Sequence, residues 1–154
     1  MFFKVGRWPA FLLGLLLCLA ASLAAAASTT RMVSAAVDEL SLRTGPGTRY
    51  EAVWTVAKGY PLKVLSKRGN WLQVSDFEND KAWVYAPMTG KTAHHVVKAE
   101  RANLRRSAST RSAIVAKLRY GDVLRTLERR GDWLKVRLAG GTTGWISKRL
   151  TWGW

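Results

Sequence analysis

Few side chains in this 154-residue sequence could do covalent or metal chemistry, and those few are badly spaced for it. His94 and His95 are adjacent, and neighbours in an extended segment point to opposite faces, so they do not readily share a metal ion. The loop Asp76-Phe77-Glu78-Asn79-Asp80 alternates its acids, but it lacks the glycine and the closing glutamate of a calcium loop. No serine sits on an elbow-like turn with an oriented base. Gly45-Pro46-Gly47 is a tight turn, without the Lys-Ser/Thr that would follow in a phosphate loop. The expectation is a chain with no catalytic constellation, no metal and no cofactor, and so not an enzyme.

Recognition chemistry is better represented. Trp71 and Trp133 each follow a glycine turn, in KRGNWLQV and RRGDWLKV, and indoles on an exposed sheet face stack on sugars or peptide planes. Tyr50, Trp54 and Tyr60 add three more rings before the first of these phrases. Lys135 and Arg137 alternate with Leu134 and Val136, which puts both cations on the same strand face as Trp133. A surface of cations and aromatics suits an anionic chain. The same spacing also fits an architectural use of Trp71 and Trp133, as a lid over a barrel end or a contact between repeats. Trp83 and Trp145, at the last strand of each phrase, read as structural.

Those side chains belong to a unit written twice. An offset of 62 aligns Leu42-Arg43 with Leu104-Arg105, Gly59 with Gly121, Gly69, Trp71, Leu72 and Val74 with Gly131, Trp133, Leu134 and Val136, and Trp83-Val84 with Trp145-Ile146, without a gap. A register held over more than forty residues marks a repeated domain. Within each copy short alternating runs are separated by glycine turns, as in Val123–Leu127, Trp133–Leu138 and Gly144–Ile146, which predicts small antiparallel sheets that curl into barrels. The predicted cores are Leu42, Val53, Leu62, Val64, Leu72, Val74 and Val84, and Leu104, Val115, Leu124, Leu127, Leu134, Val136 and Ile146. Thr92–Val97 is expected to add a strand bridging the copies, and Leu150–Trp154 to dock on the second.

Ahead of the repeats, residues 1–27 have the layout of a secretory signal: Lys4 and Arg7, an uncharged apolar run from Phe11 to Leu23, and Ala25-Ala26-Ala27 before Ser28. The run is short for a membrane span, so no stable membrane insertion is expected once it is cleaved. Cys18 is the sole cysteine, and Leu17 before it argues against lipidation. Cleavage leaves no thiol for a disulfide or for catalysis. It also takes the formal charge from +15 to +13 by removing Lys4 and Arg7. The rest is unevenly charged: residues 28–90 hold eight Lys/Arg against six Asp/Glu, and residues 91–154 hold fifteen against four. The second copy is therefore the one expected to meet a polyanion. For an exported chain, in the periplasm or outside the cell, that means a wall polymer or lipid headgroup rather than nucleic acid.

The motifs resemble those of the bacterial Src-homology-3 domain, a module of exported and envelope proteins. Leu40-Ser41-Leu42-Arg43-Thr44-Gly45-Pro46-Gly47 with Tyr50, then Lys58-Gly59, Gly69-Asn70-Trp71 and Trp83-Val84 occur in the family's order. The second copy departs at the first element, with Arg106-Ser107-Ala108-Ser109 there and Ser112 in place of Tyr50. The first departs at the last, with Ala82 where glycine is usual. The resemblance implies partly open barrels of five or six strands and a binding role rather than catalysis, on peptidoglycan, its peptide stems or another accessory ligand.

The combined expectation is all-β: two SH3-like barrels in tandem, 28–90 and 91–154, after a signal at 1–27. Its function is that of an exported noncatalytic binding module, a monomer that recognises peptidoglycan or another anionic wall polymer. The ligand-binding set is Tyr50, Trp54, Tyr60, Trp71, Trp133, Lys135 and Arg137. The alternative is an envelope adaptor that binds a peptide segment of another protein.

Overall fold

The structure, a computed structural model, describes residues 30–154. The predicted signal segment lies outside the described residues. The rest of the chain is all-β, with two single-turn 3-10 helices and no α-helix among the described residues. The first unit comprises β1 (Met32–Ala35), β2 (Glu39–Arg43), β3 (Ala52–Ala57), β4 (Pro61–Arg68), β5 (Trp71–Ser75), β6 (Lys81–Tyr85) and, after a 3-10 turn at Ala86–Met88, β7 (Thr89–Gly90). The second repeats it with β8 (His94–Val97), β9 (Arg101–Arg105), β10 (Ile114–Arg119), β11 (Val123–Arg130), β12 (Trp133–Arg137), β13 (Thr143–Ser147), a 3-10 turn at Lys148–Leu150, and β14 (Thr151–Gly153).

Each unit is one antiparallel seven-stranded sheet, in the orders β3-β2-β6-β5-β4-β1-β7 and β10-β9-β13-β12-β11-β8-β14. Alternation buries one face. Leu40 and Leu42 of β2, Leu72 and Val74 of β5, and Ala82 and Val84 of β6 close over Leu62 in the first core. Ala102, Leu104, Leu134, Val136 and Ile146 close over Leu124 in the second. Thr92–Val97 does not bridge the copies as a separate strand. β8 is the first strand of the second barrel, paired with β11 on one side and with β14, the chain's last strand, on the other.

Three predicted core residues and one further apolar residue point outward for a single reason. The pairing slips by one residue between Leu42 and Arg43 against β3, between Val64 and Ser66 on β4, and at the two corresponding places in the second barrel. The extra residue of each bulge is Val53, Leu65, Val115 or Leu127. A bulge ejects its extra residue and shifts the two-residue period beyond it. All four are exposed, between 38% and 44%, whereas Val56 and Leu118, past the bulges, are buried.

Candidate functional site

The motif arginines shape the loop between the second and third strands of each barrel. Arg43 ends β2, and its Nη1 donates to the carbonyl of Tyr50 at 2.8 Å and to that of Thr48 at 3.4 Å. Arg105 does the same to the carbonyl of Ser112 at 2.8 Å. Each closes the loop between its barrel's second and third strands through a charge-assisted bond. Tyr50 lies flat on that loop, so close to Gly45 that a Cβ there would meet ring carbons at 2.6 Å. Arg49 stands 5.2 Å from the centre of the same ring.

Trp71 opens β5 half-buried, with the Tyr85 ring 5.4 Å away at 53° and Arg68 opposite it in register. Arg68 also covers Trp83 at 5.9 Å. Trp133 opens β12 in the same way, but its neighbours in register are Ser147 and Arg130, so it has no aromatic partner there. Lys135 and Arg137 continue along the Trp133 face, with Trp145 and Glu128 on either side of Lys135 and Arg125 across from Arg137. Trp145 is buried beneath Arg130, whose guanidinium lies 4.7 Å from its ring.

The other rings go elsewhere. Trp54 packs half-buried against the first core, opposite Leu42. Tyr60 lies where the barrels meet: its ring is 6.4 Å from Phe77, which is 5.1 Å from Tyr120 of the second barrel. Burial, followed by the charges of Asp76 and Glu78, pushes the Tyr60 hydroxyl well above its usual range. The Tyr120 hydroxyl donates to Glu78, and this bond raises it to about 12. Of the predicted set, Trp133, Lys135 and Arg137 share one strand face, Tyr50, Trp54 and Trp71 stand at separate places on the first barrel, and Tyr60 packs on Phe77 where the barrels meet.

Arg125, Arg68, Tyr85 and Phe77 were missed by sequence reasoning. Tyr85 follows from alternation on β6, but Arg125 does not, because without the bulge at Leu127 it would face Leu138. Asp76 is buried, and its Oδ1 accepts from the amides of Glu78 and Asp80 at 2.9 Å each. Its carboxylate thereby organises the loop that presents Phe77, and burial raises its pKa. With Glu78 and Asp80 it forms a group of acids close enough to share an ion.

Two curled antiparallel sheets, each closed on a small core and carrying rings and cations outside, define a tandem SH3-type barrel protein. The chain belongs to the bacterial SH3 domain family, whose model matches residues 38–88 and 100–151. It is 26% identical over 133 residues to a Bacillus subtilis (strain 168) protein provisionally named as an N-acetylmuramoyl-L-alanine amidase, YrvJ, covering 75% of this chain and 25% of that protein. It is 38% identical over 48 residues to a Staphylococcus aureus protein provisionally named as a cell wall amidase, LytH, covering 30% of this chain and 16% of that protein. Among solved structures it aligns with an NlpC/P60 family protein from Bacillus cereus ATCC 10987 at TM-score 0.37 and 14% identity, over 80% of this chain and 56% of that one.

These relatives correct one expectation. A chain read as no enzyme is kin to proteins named as amidases, so that reading does not stand. The kinship runs through a stretch that is a quarter or less of those proteins, and whether this chain's own residues offer a nucleophile and a base is no measure of such a relation.

Proposed function

We propose that the chain works at the cell wall as a binding module, its barrels holding peptidoglycan or another anionic wall polymer by their outer faces. The observation that carries this reading is β12, where Trp133, Lys135 and Arg137 alternate on one face of a barrel, and where the acid opposite Lys135 in register, Glu128, is already paired with Arg130 at 2.8 Å. An indole flanked by cations can stack on a ring and hold its carboxylates at once. Tyr50, Trp54 and Trp71, with Tyr60 toward the second barrel, supply the aromatic share of the first copy. Each contact is weak alone, and two linked sites on one polymer gain avidity. Kinship with proteins named as amidases, one of them a cell wall amidase, supports the wall as the address, and the signal-like layout of residues 1–27 in the sequence fits export to the periplasm or beyond.

Sedimentation with purified sacculi tests the proposal. The chain is expected to pellet at low salt and to be released as salt rises, because the charge term is screened. Trp133→Ala combined with Lys135→Ala is expected to weaken retention about tenfold, the cost of roughly one stacked ring and one ion contact. A chain that stays in the supernatant at low salt ends the proposal.

A further inference from the structure

Between the barrels lies a cleft of about 990 Å³, walled by Ala36 and Lys58 of the first and by His94, Lys117, Arg125 and Arg137 of the second. That volume suits a short extended ligand. The register fixes how three of these residues stand. His94 on β8 faces Arg125 on β11, and Arg125 faces Arg137 on β12. Directly opposed residues share a face with Cβ atoms about 5 Å apart, and like charges so placed destabilise a sheet. Among the described residues neither arginine has an ion pair. The acid at the wall, Asp122, already accepts from the Arg119 amide at 2.8 Å. At the equivalent place the first barrel sets Lys63 against Ser75, where no repulsion arises.

The walls are also held in place. Phe77 sits between Tyr60 and Tyr120, and Ser34 Oγ donates to the Thr92 carbonyl at 2.9 Å. Gly59, at φ +85°, lies under His94 so closely that a Cβ there would come within 2.8 Å of the imidazole. A site held in shape before binding loses little ordering entropy when filled. Gly90, Ala139 and Gly140 line part of the remaining wall and put main chain at the surface there, beside Leu118, Val123 and Leu138.

We infer that this cleft is a binding site for an extended acidic peptide, whose carboxylates settle between Arg125 and Arg137 and relieve their repulsion. This deepens the wall-binding reading and rests on it, because Arg137 belongs to both surfaces. The peptide's source is either a peptide portion of the wall polymer or an acidic segment of another envelope protein.

NMR titration of the full chain tests the inference with two four-residue probes, Ala-γ-Glu-Lys-Ala and its α-linked counterpart, and with each probe's carboxylates amidated. At least one free acid is expected to bind, with shifts confined to the cleft, and its amide to bind at least tenfold more weakly. Preference for the γ-linked probe points to the wall, and preference for the α-linked probe to a protein segment. Arg125→Ala/Arg137→Ala is expected to cost at least tenfold in affinity while raising the melting temperature, a pairing that a merely structural role would not give. Arg106→Ala/Arg111→Ala, on the distant loop, is expected to stay within twofold. Equal binding of acid and amide, or full affinity in the Arg125/Arg137 variant, overturns the inference, as does binding of a glycerol-phosphate oligomer but not of the peptides. If sacculi are pelleted and neither peptide binds, the cleft falls and the wall reading stands. If a peptide binds and sacculi are not pelleted, the wall reading falls and the cleft stands.

Discussion

The two barrels share a frame to the residue and differ in what fills it. Every strand of the second begins 62 positions after its counterpart, both pairs of bulges included. Leu72 and Leu134, Val74 and Val136, and Val84 and Ile146 occupy matching buried places. Against that constancy, Val33 with Val64 in the first barrel becomes His95 with Thr126 in the second, and Gly45 with Tyr50 becomes Ser107 with Ser112. The frame is set by apolar period, turns and bulges. Change is tolerated where two residues change together, one filling or bonding what the other leaves.

The largest effect should fall where the copies agree. Leu72→Ala and Leu134→Ala each empty a fully packed site, 1% and 0% exposed, and are each expected to cost about 3–4 kcal/mol. Hydrogen exchange under denaturant, read separately for each barrel, measures both. A loss below about 1.5 kcal/mol in one and not in the other would show that the cores are not equivalent.

The second effect falls where the copies differ inside. His95 is 2% exposed, and its Nδ1 lies 2.7 Å from Thr126 Oγ1. Burial first, and the charge of Arg129 next, lower its pKa from 6.5 to about 4. The unfolded chain therefore takes up a proton below about pH 6.5 that the folded chain refuses until about pH 4. Stability is present in full above the unfolded value and is lost as pH falls through that window, by up to about 3 kcal/mol. The expected outcome is acid-weakening of the second barrel between pH 6.5 and 4. His95→Val/Thr126→Val, which installs the first barrel's pair, should flatten that dependence. Urea midpoints across the range decide it, and an unchanged slope in the double variant removes His95 as the cause.

Much of the frame is legible in the sequence. Hydrophobic alternation around Gly69-Asn70 and Gly131-Asp132 located β4, β5, β11 and β12, and the offset extended those assignments to both copies. The bulges were not legible, because a one-residue slip leaves composition and spacing unchanged and appears only when partner strands are paired. It misplaced Val53, Val115 and Leu127, and it hid the facing of Arg125 and Arg137. The rings that join the barrels were hidden for another reason. Phe77 and Tyr120 have Ala139 and Lys58 as their counterparts, so a comparison of one copy with the other hides the residues that only their junction needs.

The smallest effect tests paired change on the surface. Gly45 touches the Tyr50 ring, and its φ is not among the positive ones, so only space demands glycine there. In the second barrel Ser107 is accommodated because Ser112 has no ring, and its amide donates to Ser112 Oγ at 2.9 Å instead. Gly45→Ser alone should therefore force the Tyr50 ring off the loop and cost about 1–2 kcal/mol, as overpacking does. In a Tyr50→Ser background the same substitution should cost less than about 0.5 kcal/mol, since the loop then has the second barrel's residues at both places. The difference is a coupling energy of roughly 1 kcal/mol between residues in contact, well above the scatter expected for independent sites. Thermal unfolding of the four chains in the cycle measures it. If the two changes simply add, then Gly45 is required by the turn rather than by the ring above it, and the matching of Ser107 to Ser112 has another origin.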